Sequence, residues 1–319
     1  MQTVHNCAVC IDSYKLIGSK GVSGMSSIII GILEQGFIYG ILALGVYITY
    51  KILDFPDLSV DGTFPLGAAV AAILIVNGIN PWLSLVVAFL AGAVAGWVTG
   101  FIHVNCKVRD LLSGIITMTA LYSINIHIAD GKANLPIFTG DTIFNSGLAA
   151  MLPASLQPYS TLIISGILII ICKLILDWYL NTKSGFLLFA AGDNAQVVTA
   201  LAKDQGKVKI LGLVLANGLV ALSGAVLCQQ QRFFEVGMGP GSIVLGLAAV
   251  IIGTNLLKNF SFVKGTTAAI VGAIIYKTCY AGAIAMGMQA VDMKAITAVL
   301  FLVVLLINTK SKKGGQDRA

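Results

Sequence analysis

The chain has 319 residues, of which 57% are hydrophobic and only 11% charged, with a net charge of +6 and a mean hydropathy of +0.91. A soluble domain carries roughly 45–50% apolar and 25% charged residues, so this composition excludes that class and defines an all-α polytopic membrane protein. No nucleic acid is expected among its partners.

Residues 1–24 precede the first apolar run and form a tail without a clean signal-peptide pattern. Met25 directly precedes that run, so the tail is either an extension or lies upstream of a second start, and an extra element between Ile11 and Gly24 is a further option. Cys7 and Cys10 make a lone C-x-x-C, read either as plain tail or as an isolated zinc or redox pair. The six cysteines are scattered and imply no disulfide framework.

Apolar runs long enough to approach the span of a bilayer recur at 26–50, 64–79, 82–104, 111–129, 159–179, 209–231, 241–257, 265–286 and 292–308. Glycine and proline interrupt some of them, so the expected count is nine or ten spans in one transmembrane domain, 25–309, followed by a cytoplasmic tail, 310–319. With the loop at 181–208 taken as cytoplasmic, fourteen lysines and arginines fall inside and four, Lys132, Arg232, Lys277 and Lys294, fall outside or near the outer face, while Lys15 and Lys20 fit poorly because nine spans put the tail outside unless the extra N-terminal element restores an inside start. That asymmetry obeys the positive-inside rule. It places the polar stretch 130–158 outside, as a connector or as a docking surface for an external partner.

Few ionisable residues lie deep in a span, which argues against proton or sodium coupling. Glu34 in the first run is the exception; it lines a path, makes an interhelical contact or meets water near the outer end. Two later segments echo each other: Asp54–Val76 and Glu235–Asn255 both pass from a Gly- and Pro-containing lead into a small-residue apolar run. They lie five spans apart, so they cross in opposite senses, the pattern of an inverted repeat with interrupted helices. Unwound backbone is tolerated in a membrane only where protein or a polar cavity satisfies it. Asp57, Ser59, Asp61, Thr63 and Phe64 in the first break and Gly239, Pro240 and Ser242 in the second are therefore candidates for a translocation path. The alternative for the first is a solvated cytoplasmic turn in which Asp61 or Thr63 caps the following helix. Glycine-alanine runs such as Ala91–Gly96 argue close helix packing.

The loop 181–208 runs through Thr182, Gly185, Ala190, Gly192 and Asn194 before a short amphipathic stretch. Asp193 and Gln196 have capping-box spacing, Val197, Val198 and Leu201 share a face, Lys203 sits in the last turn, and Gly206 ends the element. The expectation is a helix of about ten residues on the cytoplasmic surface, either bound by a partner or resting on lipid headgroups.

These loop residues, followed by Gly206, Lys207 and Lys209 and by a span with Leu222, Ser223 and Gly224, resemble ABC-importer permeases of the branched-chain amino acid and ribose type. The resemblance covers about residues 26–308, and Phe55–Ala69 resembles a subgroup of uncharacterised or amino-acid uptake permeases, some linked to aromatic amino acids. The resemblance implies a type II ABC importer-like fold in a prokaryotic inner membrane. It makes Gly185, Gly192, Asp193, Asn194, Val197, Val198, Leu201 and Lys203 a coupling element for a separate cytoplasmic ATPase. Asp193 stands where many relatives carry glycine. The chain contains no G-x-x-x-x-G-K-[S/T], so ATP is expected to bind the partner subunit and no cofactor to bind this chain. An external binding protein and a second permease copy or paralogue complete the implied assembly. A self-sufficient ion-coupled secondary transporter is the competing class.

Overall fold

The computed structural model describes residues 21–138, 140–147, 153, 156–193, 204–258, 260, 263–285, 295, 297–299 and 301–306. Its helices are α1 (Gly21–Val46), α2 (Val60–Val76), α3 (Pro81–Val104), α4 (Asp110–Ile128), α5 (Ser160–Leu180), α6 (Lys183–Asp193), α7 (Gln205–Gln231), α8 (Ser242–Leu256) and α9 (Gly265–Ala285). A π-helical turn, Tyr47–Ile52, prolongs α1. Among the described residues, seven helices are long and apolar enough to cross a membrane, and two shorter apolar ones, α2 and Thr297–Leu306, join them. These nine elements coincide with the nine apolar runs of the sequence. Cys7 and Cys10 lie outside the described residues.

Helix α7 is the centre of the bundle and packs against α1, α2 and α3. Its 27 residues reach about 40 Å, more than the roughly 30 Å of hydrocarbon. Close approach to it depends on glycines. A Cβ at Gly67 of α2 would strike the Ala221 carbonyl, one at Gly96 of α3 the Leu213 carbonyl, and one at Gly224 of α7 the Phe64 carbonyl. Helices α8 and α9 dock in the same way, Gly253 against the Ala268 carbonyl and Gly272 against the Ala249 carbonyl. In lipid there is no water to expel between helices, so such backbone-to-backbone contact supplies the packing that holds them together.

The outer end is closed by a small antiparallel pair, β1 (Asn134–Pro136) with β2 (Phe233–Glu235), in which Leu135 faces Phe234. The polar stretch 130–158 is thus tied to the bundle. Gln229 fastens it further: its Oε1 accepts from Ile143 N at 2.9 Å, and its Nε2 donates to Ser84 Oγ at 3.1 Å and to Pro81 O at 3.2 Å. Phe234 is fully buried beside Ile75, Ala129 and Cys228.

Candidate functional site

The chain before α2 cannot be a solvated cytoplasmic turn. Asp57 Oδ1 accepts from Ser59 N at 2.9 Å, Asn217 Nδ2 donates to Asp57 Oδ2 at 2.7 Å, and Ser59 Oγ donates to Asn217 Oδ1 at 3.2 Å. Asn217 is the thirteenth of 27 residues in α7, about 18 Å along its axis. The first break therefore lies at the depth of the bundle's middle. Asp57, Ser59, Thr63 and Phe64 are all buried, and the hydrogen bonds of Asp57 replace water that its carboxyl group loses there.

Asp61 does not cap its own helix either. From the first turn of α2 its Oδ2 accepts from Gly241 N at 3.0 Å and its Oδ1 from Ile243 N at 2.8 Å. It thus caps α8, whose first turn has backbone N–H groups with no intrahelical partner. Gly241 makes the bend at φ +99°, a backbone region suited to glycine. Pro65 lacks the N–H that would bond the Asp61 carbonyl, and a Cβ at Gly239 would strike that carbonyl. Thr63 Oγ1 donates back to Ser59 O at 3.0 Å rather than starting the helix.

The two echoing segments therefore meet at their N-terminal ends. From that junction α2 runs outward until Ile75 lies against Gly140, and α8 runs inward until Gly253 lies against Ala268 near the start of α9. They are interrupted helices of opposite sense, as the sequence pattern predicts. Of the candidate path residues, Asp61 and Gly239 make the joint, Ser242 is buried in its first turn, and Pro240 is exposed. Glu34 stands apart from them, half-buried near the outer end of α7, where Gln230 Nε2 lies 3.5 Å from its Oε2 and Gln35 donates to Gln230 at 2.8 Å.

The loop expected at the cytoplasmic surface is partly helix. Residues Lys183–Asp193 form α6, so Gly185, Gly192 and Asp193 belong to a helix before the expected amphipathic one. Asp193 is the last residue of α6. Asn194, Val197, Val198, Leu201 and Lys203 lie outside the described residues. Gly206 does not end an element: it is the second residue of α7, and its N–H donates to the N-cap Asp204 at 2.9 Å. Helix α6 sits on the π-helical turn because Gly192 has no Cβ to clash with the Ile52 carbonyl, and Leu188 is fully buried.

Two clusters escaped sequence reading. Asp177, near the end of α5, accepts from Thr266 Oγ1 at 2.6 Å and pairs with Lys173 at 3.0 Å and Lys264 at 3.3 Å, tying α5 to the start of α9. Lys277 is not near an outer surface. It is the thirteenth residue of α9, 9% exposed, with Nζ 3.5 Å from the Tyr39 ring centroid.

Known proteins place this architecture. Residues 28–308 match the family described as branched-chain amino acid transport system / permease component. The tyrosine transport system permease protein of Clostridioides difficile (strain R20291) is 44% identical over 277 residues, covering 87% of this chain and 90% of that protein. The ribose import permease protein RbsC of Escherichia coli (strain K12) is 25% identical over 291 residues, 88% of this chain and 85% of its own. Among solved structures, an inward-facing ABC transporter assigned to the metal-chelate type has the same fold at a TM-score of 0.50 and 15% identity, over 92% of this chain and 91% of that one. The matched span, the relatives and the paired interrupted helices together place the chain in the branched-chain amino acid and ribose type of ABC transporter permeases.

Proposed function

We propose that this chain is the membrane-spanning subunit of an ATP-driven importer in a prokaryotic plasma membrane, passing an amino acid, aromatic amino acids included, from an external binding protein to the cytoplasm. The observation that carries this reading is the junction in which Asp61 of α2 holds the N-terminus of α8. Two interrupted helices joined by hydrogen bonds at their N-terminal ends can separate and rejoin, which is what alternating access requires. Relatedness to the tyrosine permease supports the substrate class. ATP binds a separate cytoplasmic ATPase, which docks on α6 and the segment after it, and a second permease copy or a paralogue completes the path.

Reconstitution of the permease with its ATPase and binding protein tests this. ATP-dependent accumulation of labelled tyrosine or a related amino acid is expected, with none when the ATPase is omitted. Uptake by the permease alone under an ion gradient would overturn the reading in favour of a secondary transporter.

A further inference from the structure

The connection between α3 and α4 and the start of α7 enclose a cleft of about 580 Å³. It lies at the end of the bundle that the distribution of lysine and arginine assigns to the cytoplasm. Lys107 and Arg109 of the connection and Lys209 of α7 line it, and Asp204 is the one carboxylate among its described lining residues. Asp204 is already engaged: its Oδ1 accepts from Gly206 N at 2.9 Å, and its Oδ2 lies 3.9 Å from Lys207 Nζ. The walls are fixed in place. A Cβ on Gly206 would strike Val104, so α7 starts hard against the end of α3. His103 Nδ1 lies 2.9 Å from the Val108 carbonyl, and the His103 ring meets Phe55 edge-on with centroids 5.1 Å apart.

Two further features distinguish this cleft from an ordinary solvated turn. Lys107 has φ +57°, a backbone region that suits glycine or asparagine better than lysine, so the turn carries its long cationic side chain at a strained position. The surface beside the cleft is also apolar. Val104 lines the cleft, and Phe101 and Trp97 follow it at helical spacing along one face of α3. Both are exposed, with ring centroids 5.5 Å apart. Leu111 and Leu112, just beyond Arg109, are exposed as well. Three cations would suffice for a small soluble anion. A cationic cleft above an apolar helix face instead matches a molecule that is anionic at one end and hydrocarbon at the other.

We propose that this cleft binds the headgroup of an anionic phospholipid of the cytoplasmic leaflet. Lys107, Arg109 and Lys209 take the phosphate, and the acyl chains lie along Phe101 and Trp97. The forked guanidinium and the two ammonium groups supply charge-assisted hydrogen bonds to phosphate oxygens. Because the cations come from the α3–α4 connection and from α7, a bound headgroup bridges the membrane-surface ends of three helices. No bond is made or broken.

The test is native mass spectrometry of the complete transporter, offered phosphatidylglycerol and phosphatidylcholine in equal amounts. A cleft variant combines Lys107→Gln, Arg109→Gln and Lys209→Gln. A control combines Lys51→Gln, Lys183→Gln and Lys258→Gln, removing three exposed cations outside the cleft. Wild type is expected to retain phosphatidylglycerol at least fivefold over phosphatidylcholine, the control to keep that ratio within twofold, and the cleft variant to lose at least threefold of it. A smaller loss, an equal loss in the control, or no preference in wild type overturns the proposal. Washing with sodium phosphate should displace no more lipid than sodium chloride of the same ionic strength; greater displacement makes the ligand a free anion and overturns the lipid assignment. Loss of ATPase association with the lipid preference intact assigns the cleft to a protein partner and overturns it too. If the cleft variant does not assemble, a phosphatidylglycerol with a photoactivatable acyl chain decides on wild type. Adducts within residues 97–112 support the site, and adducts only elsewhere overturn it.

Discussion

Asp61→Ala removes both acceptors that hold the start of α8. The wild-type carboxylate receives Gly241 N at 3.0 Å and Ile243 N at 2.8 Å. Hydrogen bonds to a charged group contribute about 1.5–3 kcal/mol each, which sets a gross loss of about 3–6 kcal/mol. Part is offset when the freed N–H groups find other acceptors as the turn relaxes, so a net loss of about 2–4 kcal/mol is expected. Asp61→Asn keeps an uncharged acceptor and should lose about half as much. Both are measured by unfolding in mixed micelles with increasing denaturing detergent, beside uptake by the reconstituted transporter. Uptake should fall in the order wild type, Asn, Ala, because the junction is the moving part and not only a brace. An alanine variant within about 0.5 kcal/mol of wild type, the range of an inconsequential surface change, would refute the claim that this carboxylate joins the two helices.

Gly253→Ala should destabilise the protein strongly or prevent its accumulation, because the new Cβ would meet the Ala268 carbonyl, whereas Gly282→Ala, with open space around it, should be neutral in the same thermal assay. Gly192→Ala should lift α6 from the Ile52 carbonyl; membrane insertion is expected to survive while substrate-stimulated ATP hydrolysis falls, as read from the purified complex. Asp177→Ala removes the acceptor shared by Thr266, Lys173 and Lys264, but Lys264 is 60% exposed and its pair is screened. A loss of about 1–2 kcal/mol is expected, shrinking as salt is raised from low ionic strength, and a salt-independent loss would place the stabilisation in the Thr266 hydrogen bond alone.

The amino-acid sequence by itself determined the membrane class, the nine apolar elements and the opposite sense of the two interrupted helices. Each of these depends on local composition or chain order: run length sets whether a segment can span, and an odd number of crossings sets relative direction. Proline and glycine near Asp57 and Gly239 marked the breaks because they disturb backbone in ways no neighbour can repair. Pairing was not legible. Asp61 reads as a cap for its own helix, yet its partners lie 180 and 182 residues away. Lys277 reads as a residue near the outer face because charge usually marks a helix end, yet it is buried against Tyr39. Helix α6 reads as loop because its lysine, serine and glycines are weak local signals, and its contact with the π-helical turn gives it a place. In a soluble protein an apolar stripe would have revealed which faces pack together. In lipid, the face turned to a neighbour and the face turned to the bilayer are both apolar, so tertiary structure alone decides which residues meet at the middle of the membrane.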